Sequence, residues 1–245
     1  MIRRLMLVNA DVKSLEVVTC AFLSRDEILM REVRDGVDLH AENQERFKLP
    51  DRVTAKRFKF KLIYGASAYG YANDGDFKDV STSQDYWQRV IDEYYKKYFG
   101  IGKWHMELVR DAIKTGGFTT PTGRRYEYPA ADVAARSWFW RPKILNYPVQ
   151  GLGADLVMIA RISSFNRIKA SGIKALPVSS VHDSIVYDVD NSGEAWYNVG
   201  MILKKSVEDI PMNFKRLFGI NFDLPLNAEI KVGMNLGETE VVNYN

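Results

Sequence analysis

"VSSVHDSIVYDVD" (178–190) is a run of strand-forming residues broken at its middle by His-Asp-Ser. Val178, Val181, Ile185, Val186, Tyr187 and Val189 suit a pleated, half-buried surface. His182, Asp183 and Ser184 read as the tight connection between two antiparallel strands. A hairpin lined with apolar residues therefore holds a carboxylate at its tip. A solvated turn is the bland explanation, since Asp is a common turn residue. The sharper explanation needs a second carboxylate in a matching place.

Working outward, the chain opens with "RLMLV" (4–8), a buried-strand pattern, then "NADVKS" and the apolar helical run "LEVVTCAFLS". Asp11 falls where a strand hands over to a helix. A charged helical stretch follows over 25–51, interrupted at Gly36 and Pro50. "DRVTAKRFKFKLIYG" (51–65) predicts a helix ending near Gly65. Residues 83–117 predict two amphipathic helices with a break at Gly100–Gly102 and a stop at Gly116 and Gly117. "FTTPTGRRYEYP" (118–129) predicts a hairpin around Pro121-Thr122-Gly123. Then come a long helix through 153–172, the opening hairpin, a helix from Glu194 and a terminal strand region, "DLPLNAEIKVG" (223–233). Strands at both ends with helices between them predict an α+β fold, an antiparallel sheet carrying a helical lobe.

Composition narrows the chemistry. Apolar residues make up 46% of the chain, so a sizeable core can form. Cys20 is the only cysteine and sits in the apolar run "VVTCAFL", which reads as core and excludes an internal disulfide. Histidine is scarce and no HExxH-type pair occurs, which argues against a zinc hydrolase. A net charge of +3 permits a polyanionic partner without demanding one. The apolar part of "MIRRLMLV" is too short for a secretory segment, and no run approaches a membrane span. The expectation is a soluble, cytoplasmic protein with no membrane partner.

Two groupings carry the chemistry. Arg52, Lys56, Phe60 and Tyr64 recur four residues apart, which sets them along one slowly drifting helical stripe. Cations match phosphate oxygens and rings stack on bases, so the mixed stripe suits a nucleotide. An interhelical surface with snorkelling cations is the plainer alternative. Asp11 and Asp183, each at a predicted strand end, form the second grouping. Paired carboxylates repel unless a cation neutralises them, and Mg²⁺ takes oxygen ligands while keeping waters and phosphates.

Three segments, in order, resemble the motifs of family A DNA polymerases, the bacterial polymerase I and phage replicative type. "DVKSLEVVTCAFLS" resembles motif A, D-Y-S-x-I-E-x-R-x-x-A-x-x-S. "RVTAKRFKFKLIYG" matches motif B, R-x3-K-x3-(F/Y)-x3-Y-G, at every defining position. "VHDS" resembles the V-H-D-E of motif C. "NYPVQGLGADLV", "DLHAENQERF", "GRRYEYP" and "PLNAEIKVGMNLGE" resemble further family segments, so the similarity covers nearly the whole chain.

The resemblance implies a polymerase palm with an antiparallel sheet (1–24 and 141–245) and a helical fingers subdomain (25–140), with the motif B helix at about 51–66. It implies DNA synthesis: dNMP from a dNTP joins a primer 3′-OH by two-metal phosphoryl transfer. Asp11 and Asp183 would hold two Mg²⁺ ions. Arg52, Lys56 and His40 would grip the triphosphate, with Lys56 also protonating the departing pyrophosphate. Phe60 would pack on the nucleotide, Tyr64 beside the templating base. Asn146, Gln150 and His182 would contact primer and template, as would Arg124 and Arg125 of the G-R-R segment.

Departures from the pattern raise alternatives. Ser184 replaces the motif C Glu, and His-Asp-Ser is also the pattern of single-subunit RNA polymerases. Glu16 opposes that alternative, because in family A this glutamate blocks a ribose 2′-OH. A non-catalytic, polymerase-derived scaffold is a further alternative, opposed by the presence of Asp11, Lys56 and Asp183. Ten residues precede Asp11, so thumb and 3′–5′ exonuclease domains are expected to be absent: either a second polypeptide of a split polymerase supplies them, the favoured reading, or the chain is an excised fragment. Phages split such genes, which would put the protein in a host cytoplasm.

Overall fold

In the computed structural model, which describes residues 5–190 and 194–244, strand β1 (Leu5–Val12) leads into α1 (Leu15–Ser24). Then follow α2 (Glu27–Arg34), α3 (Leu39–Arg46), α4 (Arg52–Ile63), α5 (Ala68–Ala72), α6 (Gln84–Lys97) and α7 (Phe99–Thr115). A small hairpin, β2 (Gly117–Thr119) and β3 (Arg125–Glu127), precedes α8 (Ala130–Ala135) and the long α9 (Ser137–Ser171). The hairpin β4 (Ala175–Val181) and β5 (Ser184–Asp190) comes next, then α10 (Ala195–Glu208), α11 (Ile210–Phe218), β6 (Ala228–Asn235) and β7 (Glu238–Val242). The fold is α+β. Arg4, the first residue of the run read as an N-terminal strand, lies outside the described residues. No helix among the described residues is long and apolar enough to cross a membrane.

The chain divides into two compact units. One is built from the chain up to Val18 and from Leu152 onward, the other from Thr19–Gly151. The boundaries fall inside α1 and α9, whereas the motifs put the changes at 24/25 and 140/141. A helix that runs from one unit into the other leaves no composition shift to mark the point.

The first unit is a five-stranded antiparallel sheet in the order β4-β5-β1-β6-β7. Along β1 the even positions Val8, Ala10 and Val12 are fully buried while Asn9 and Asp11 are only partly so, the period-two alternation of a strand with unlike faces. Helix α10 covers the even face: its Gly200 lies against Ile230, the register partner of Ala10. Burying each of its Val199, Leu203 and Val207 side chains contributes about 1.5–3 kcal/mol. Asp11 sits at an odd position, on the opposite face.

Aromatic packing dominates the second unit. Trp87 is fully buried against Phe58, Tyr71 and Phe77, with ring centroids 5.0–6.0 Å apart, and its Nε1 donates to Ser81 O at 2.8 Å. Asp26, also buried, caps two helices at once. Its Oδ1 accepts from Leu29 N at 2.8 Å at the start of α2, and its Oδ2 accepts from Gly100 N at 2.7 Å in the first turn of α7.

Several expectations need correction. The break between α6 and α7 falls at Tyr98 instead of Gly100–Gly102. Gly100 is helical, and it is glycine because a Cβ there would lie 2.7 Å from Asp26 Cα. Helix α9 begins sixteen residues earlier than Gly153 and runs through Pro142 and Pro148, where each ring removes one backbone bond without ending the helix. The helix expected from Glu194 is two, α10 and α11, divided at Asp209. Strand β7 was not expected. It pairs with β6 through a turn in which Asn235 Oδ1 accepts from Gly237 N and Glu238 N.

Candidate active site

Val181 pairs with Ser184, so the loop of the β4–β5 hairpin is only His182 and Asp183. His182 takes φ 53°, the positive φ required at the first position of the turns that suit the twist of a two-residue hairpin. Ser184 is thus not part of the connection, as expected from sequence, but the first residue of β5. It is largely buried; its Oγ donates to Val181 O at 2.9 Å, and Ser180 Oγ donates to its carbonyl at 3.2 Å. The hydroxyl that stands where motif C has a carboxylate is used to close the hairpin.

β1 runs beside β5 with Asp11 opposite Ser184, and Val12 N donates to Asp183 O at 3.0 Å. Asp11 and Asp183, far apart in sequence, therefore meet across one strand pair, each partly exposed. On its other side Asp11 faces Glu229 of β6. Glu229 is already neutralised: Lys231 Nζ lies 2.9 Å and Lys13 Nζ 4.0 Å from its carboxylate oxygens. Its hydrogen bond to Lys231 holds the Glu229 carboxyl below the usual range, and Glu229, with Asp11 behind it, holds Lys231 above its own. Motif reading marks Lys13 only as a departure from motif A and gives Glu229 and Lys231 no role; the β1–β6 register brings Glu229 and Lys231 here. Glu16 occupies the first turn of α1, half-buried, and His182 is exposed.

Among the described residues no three His, Cys, Asp or Glu side chains gather into a metal cluster. The donor set at this sheet edge is the two carboxylates, Asp11 and Asp183. Such a pair fits a hard cation that fills its remaining positions with water and substrate phosphate.

In the second unit, the stripe on α4 is the outward one. Arg52 and Lys56 are exposed and Phe60 and Tyr64 half-buried, while Ala55, Phe58, Lys59, Leu62 and Ile63 face the core. Arg52 is held by Asp38, Nε to Oδ2 at 2.9 Å and Nη2 to Oδ1 at 3.2 Å. Asp38 also caps α3, accepting from His40 N at 3.1 Å and Ala41 N at 3.2 Å, and the Arg52 bond keeps its carboxyl below the usual range. One aspartate thus ties α3 to α4. The consequence is a cluster: the His40 ring lies 6.0 Å from that of Phe60, and Lys56 Nζ is 5.6 Å from the same ring. Burial, reinforced by Lys59, Arg52 and Lys56, pushes His40 down to about 4, so its imidazole is neutral at neutral pH. Asp38 opens the "DLHAENQERF" segment, and its signal in the sequence is the N-cap position.

Tyr64 ends α4, and Gln150 of α9 donates from Nε2 to its hydroxyl. Gly65 takes φ 79°, and a Cβ there would lie 2.6 Å from Leu145 Cδ1, so both conformation and space require glycine. Asn146 lies one turn before Gln150, half-buried. Arg124 and Arg125 sit on the β2–β3 hairpin, where Arg125 Nε is 3.2 Å from Glu127.

The pattern that describes DNA polymerase family A matches residues 2–238. The chain belongs to DNA polymerase family A. Among the family's curated members it is 31% identical to DNA polymerase I of Streptococcus pneumoniae strain R6, over 76% of this chain and 22% of that protein. It is 28% identical to DNA polymerase I of Lactococcus lactis strain IL1403, over 96% of this chain and 26% of that protein. The chain spans about a quarter of the length of the curated relatives it matches. A solved family A structure, the POL domain of Pol1 from M. smegmatis in complex with DNA primer-template and dNTP, superposes with a TM-score of 0.79 at 25% identity, over 94% of this chain and 40% of that one.

Proposed function

We propose that this family A chain adds nucleotides to DNA: the primer 3′-oxygen bonds to the α-phosphorus of a dNTP, and the bond from that phosphorus to pyrophosphate breaks. The observation that carries the proposal is the β1–β5 register, which sets Asp11 beside Asp183 with the neighbouring Glu229 already neutralised. When bound, two Mg²⁺ ions held by Asp11 and Asp183 supply activation of the attacking hydroxyl and stabilisation of the leaving oxygen.

The chain's own groups bind and orient. Lys56 and Arg52 receive the triphosphate, and the exposed Arg52–Asp38 pair, worth about 0–1 kcal/mol, yields readily to a polyanion. Lys56 carries the proton taken up by pyrophosphate. A neutral His40 donates one hydrogen bond to a phosphate oxygen. Phe60 packs on the nucleotide, and Tyr64, steadied by Gln150, borders the templating base. Asn146, Gln150, His182, Arg124 and Arg125 lie against DNA, which supplies the phosphate contacts that dominate affinity. Glu16 excludes a 2′-hydroxyl. The competing reading, RNA synthesis, rests on Ser184, whose hydroxyl is committed to the hairpin.

Primer extension on a primed DNA template with Mg²⁺, comparing dNTPs with rNTPs, tests this. The wild type extends with dNTPs, and Asp183→Ala loses roughly a thousandfold in rate. Preference for rNTPs would overturn the role of Glu16, and undiminished extension by Asp183→Ala would overturn the carboxylate pair. Repeating the assay with a candidate second polypeptide, supplying thumb and exonuclease, reads whether duplex grip comes in trans.

A further inference from the structure

From Val133 to Ala154 the chain has no carboxylate, and it opens with "RSWFWRPK" (136–143), three rings among three cations. Six rings of the second unit touch in series: Tyr126, Tyr147, Tyr128, Trp140, Phe139 and Trp138, with successive centroids 5.6–6.5 Å apart. The series begins at the half-buried Tyr126 and ends in solvent at Trp138. Tyr126 packs against Gly151, where an added Cβ would overlap its hydroxyl, and Tyr128 is buried, while Trp138 is 76% exposed. Phe139 and Tyr147 are exposed too.

The cations are not equivalent. Arg136 is neutralised by Asp132, 2.6 Å away, and Arg141 is bonded to Tyr95. Lys143 has no carboxylate partner among the described residues; it lies 4.3 Å from the Phe139 ring centroid and 4.7 Å from that of Trp140. On α9, Phe139, Lys143 and Tyr147 are spaced four apart, and Trp138 belongs to the adjoining row with Asn146 and Gln150. Ile144, Leu145, Pro148 and Val149 turn inward. The exposed ring-and-lysine face therefore runs directly into the Gln150–Tyr64 contact.

We propose that Trp138, Phe139, Lys143 and Tyr147 form a stacking platform for single-stranded DNA, occupied by the unpaired template strand; the template assignment rests on the polymerase activity proposed above. Charge decides the occupant. An apolar protein surface seated here would bury Lys143 without a counter-charge, which costs several kcal/mol. A single strand neutralises it with phosphate and offers each ring a base face.

The test is fluorescence anisotropy of a labelled oligo(dT) with the full chain at low salt. Trp138→Ala/Phe139→Ala weakens binding by about tenfold or more, Trp138→Tyr stays near wild type, and Lys143→Gln lowers the salt dependence. Trp138→Leu keeps an apolar side chain without a π-face and loses affinity as well, so the result does not hang on a misfolded double variant. Wild-type affinity in Trp138→Leu and in the folded double variant overturns the platform. So does a wild-type dimer, seen by light scattering, that the double variant abolishes with oligo(dT) binding intact. Extension on a template with one unpaired nucleotide reads catalysis alone and is unchanged in Trp138→Leu. Failure of the polymerase reading is thus separate: no extension by any variant, with the binding differences still in place.

Discussion

Each unit brings its own candidate residues together, and the two do so by opposite means. In the sheet unit, Asp11 and Asp183 come from strands far apart in the chain and meet only because β1 and β5 pair in one register. In the helical unit, Arg52, Lys56, Phe60 and Tyr64 all lie on or at the end of α4 and share a face because of helical spacing alone. A one-residue slip of β1 would send Asp11 to the opposite face; no comparable slip exists for α4. What the helical unit must secure instead is the anchorage of that helix, which falls to Phe58 and its aromatic neighbours on the inner face.

The largest effect expected outside catalysis breaks that anchorage. Trp87→Ala removes the ring against which Phe58, Tyr71 and Phe77 pack, together with the bond to Ser81 O. Truncating a buried tryptophan of this kind costs about 3–5 kcal/mol. Urea unfolding should show that loss. A loss below about 1 kcal/mol would mean that α4 is held by something other than the ring cluster.

This contrast also explains what the sequence made legible. The α4 stripe, Gly65 as its end and the β4–β5 hairpin depend on local spacing and turn chemistry, and all three are readable. The break before α7 was misplaced because Gly100 answers to Asp26, a residue far away in the chain. Strand β7 was missed because its β6–β7 turn carries no strong hairpin dipeptide, only the side chain of Asn235. Glu229 and Lys231 have no spacing relation to Asp11 at all. Lys59 looked like one more helical cation and is instead the largest buried polar surprise of the helical unit. Its side chain is fully buried and its Nζ has no hydrogen-bond partner among the described residues.

Lys59 gives the next prediction, which sharpens the contrast by placing a pH dependence in one unit. Burial pushes its pKa down from 10.5 to about 7, with Cys20, Glu32 and Glu42 opposing the shift and Lys97 adding to it. Between those values the unfolded chain binds the proton that the folded chain has shed, so stability rises with pH from about 7 upward. Below about 7 the buried charge exerts its full destabilisation. Lys59→Met should therefore stabilise by about 1–4 kcal/mol at pH 6 and flatten the rise between pH 7 and 9. Urea unfolding of both proteins across that range checks it; parallel pH profiles would remove Lys59 as the cause.

The smallest effect tests the register side. Ser184 lies opposite Asp11, yet its hydroxyl donates back to Val181 O inside the hairpin. Ser184→Ala leaves that carbonyl short of one bond and should cost about 1 kcal/mol in unfolding. Extension should stay at the wild-type rate, because Asp11 and Asp183 keep their places: the backbone bond from Val12 N to Asp183 O and the strand register hold them, not the serine hydroxyl. A collapse of extension with stability nearly unchanged would have the opposite meaning. The hydroxyl would then belong to the chemistry, in the place where motif C has a carboxylate, and the hairpin bond would be its resting position.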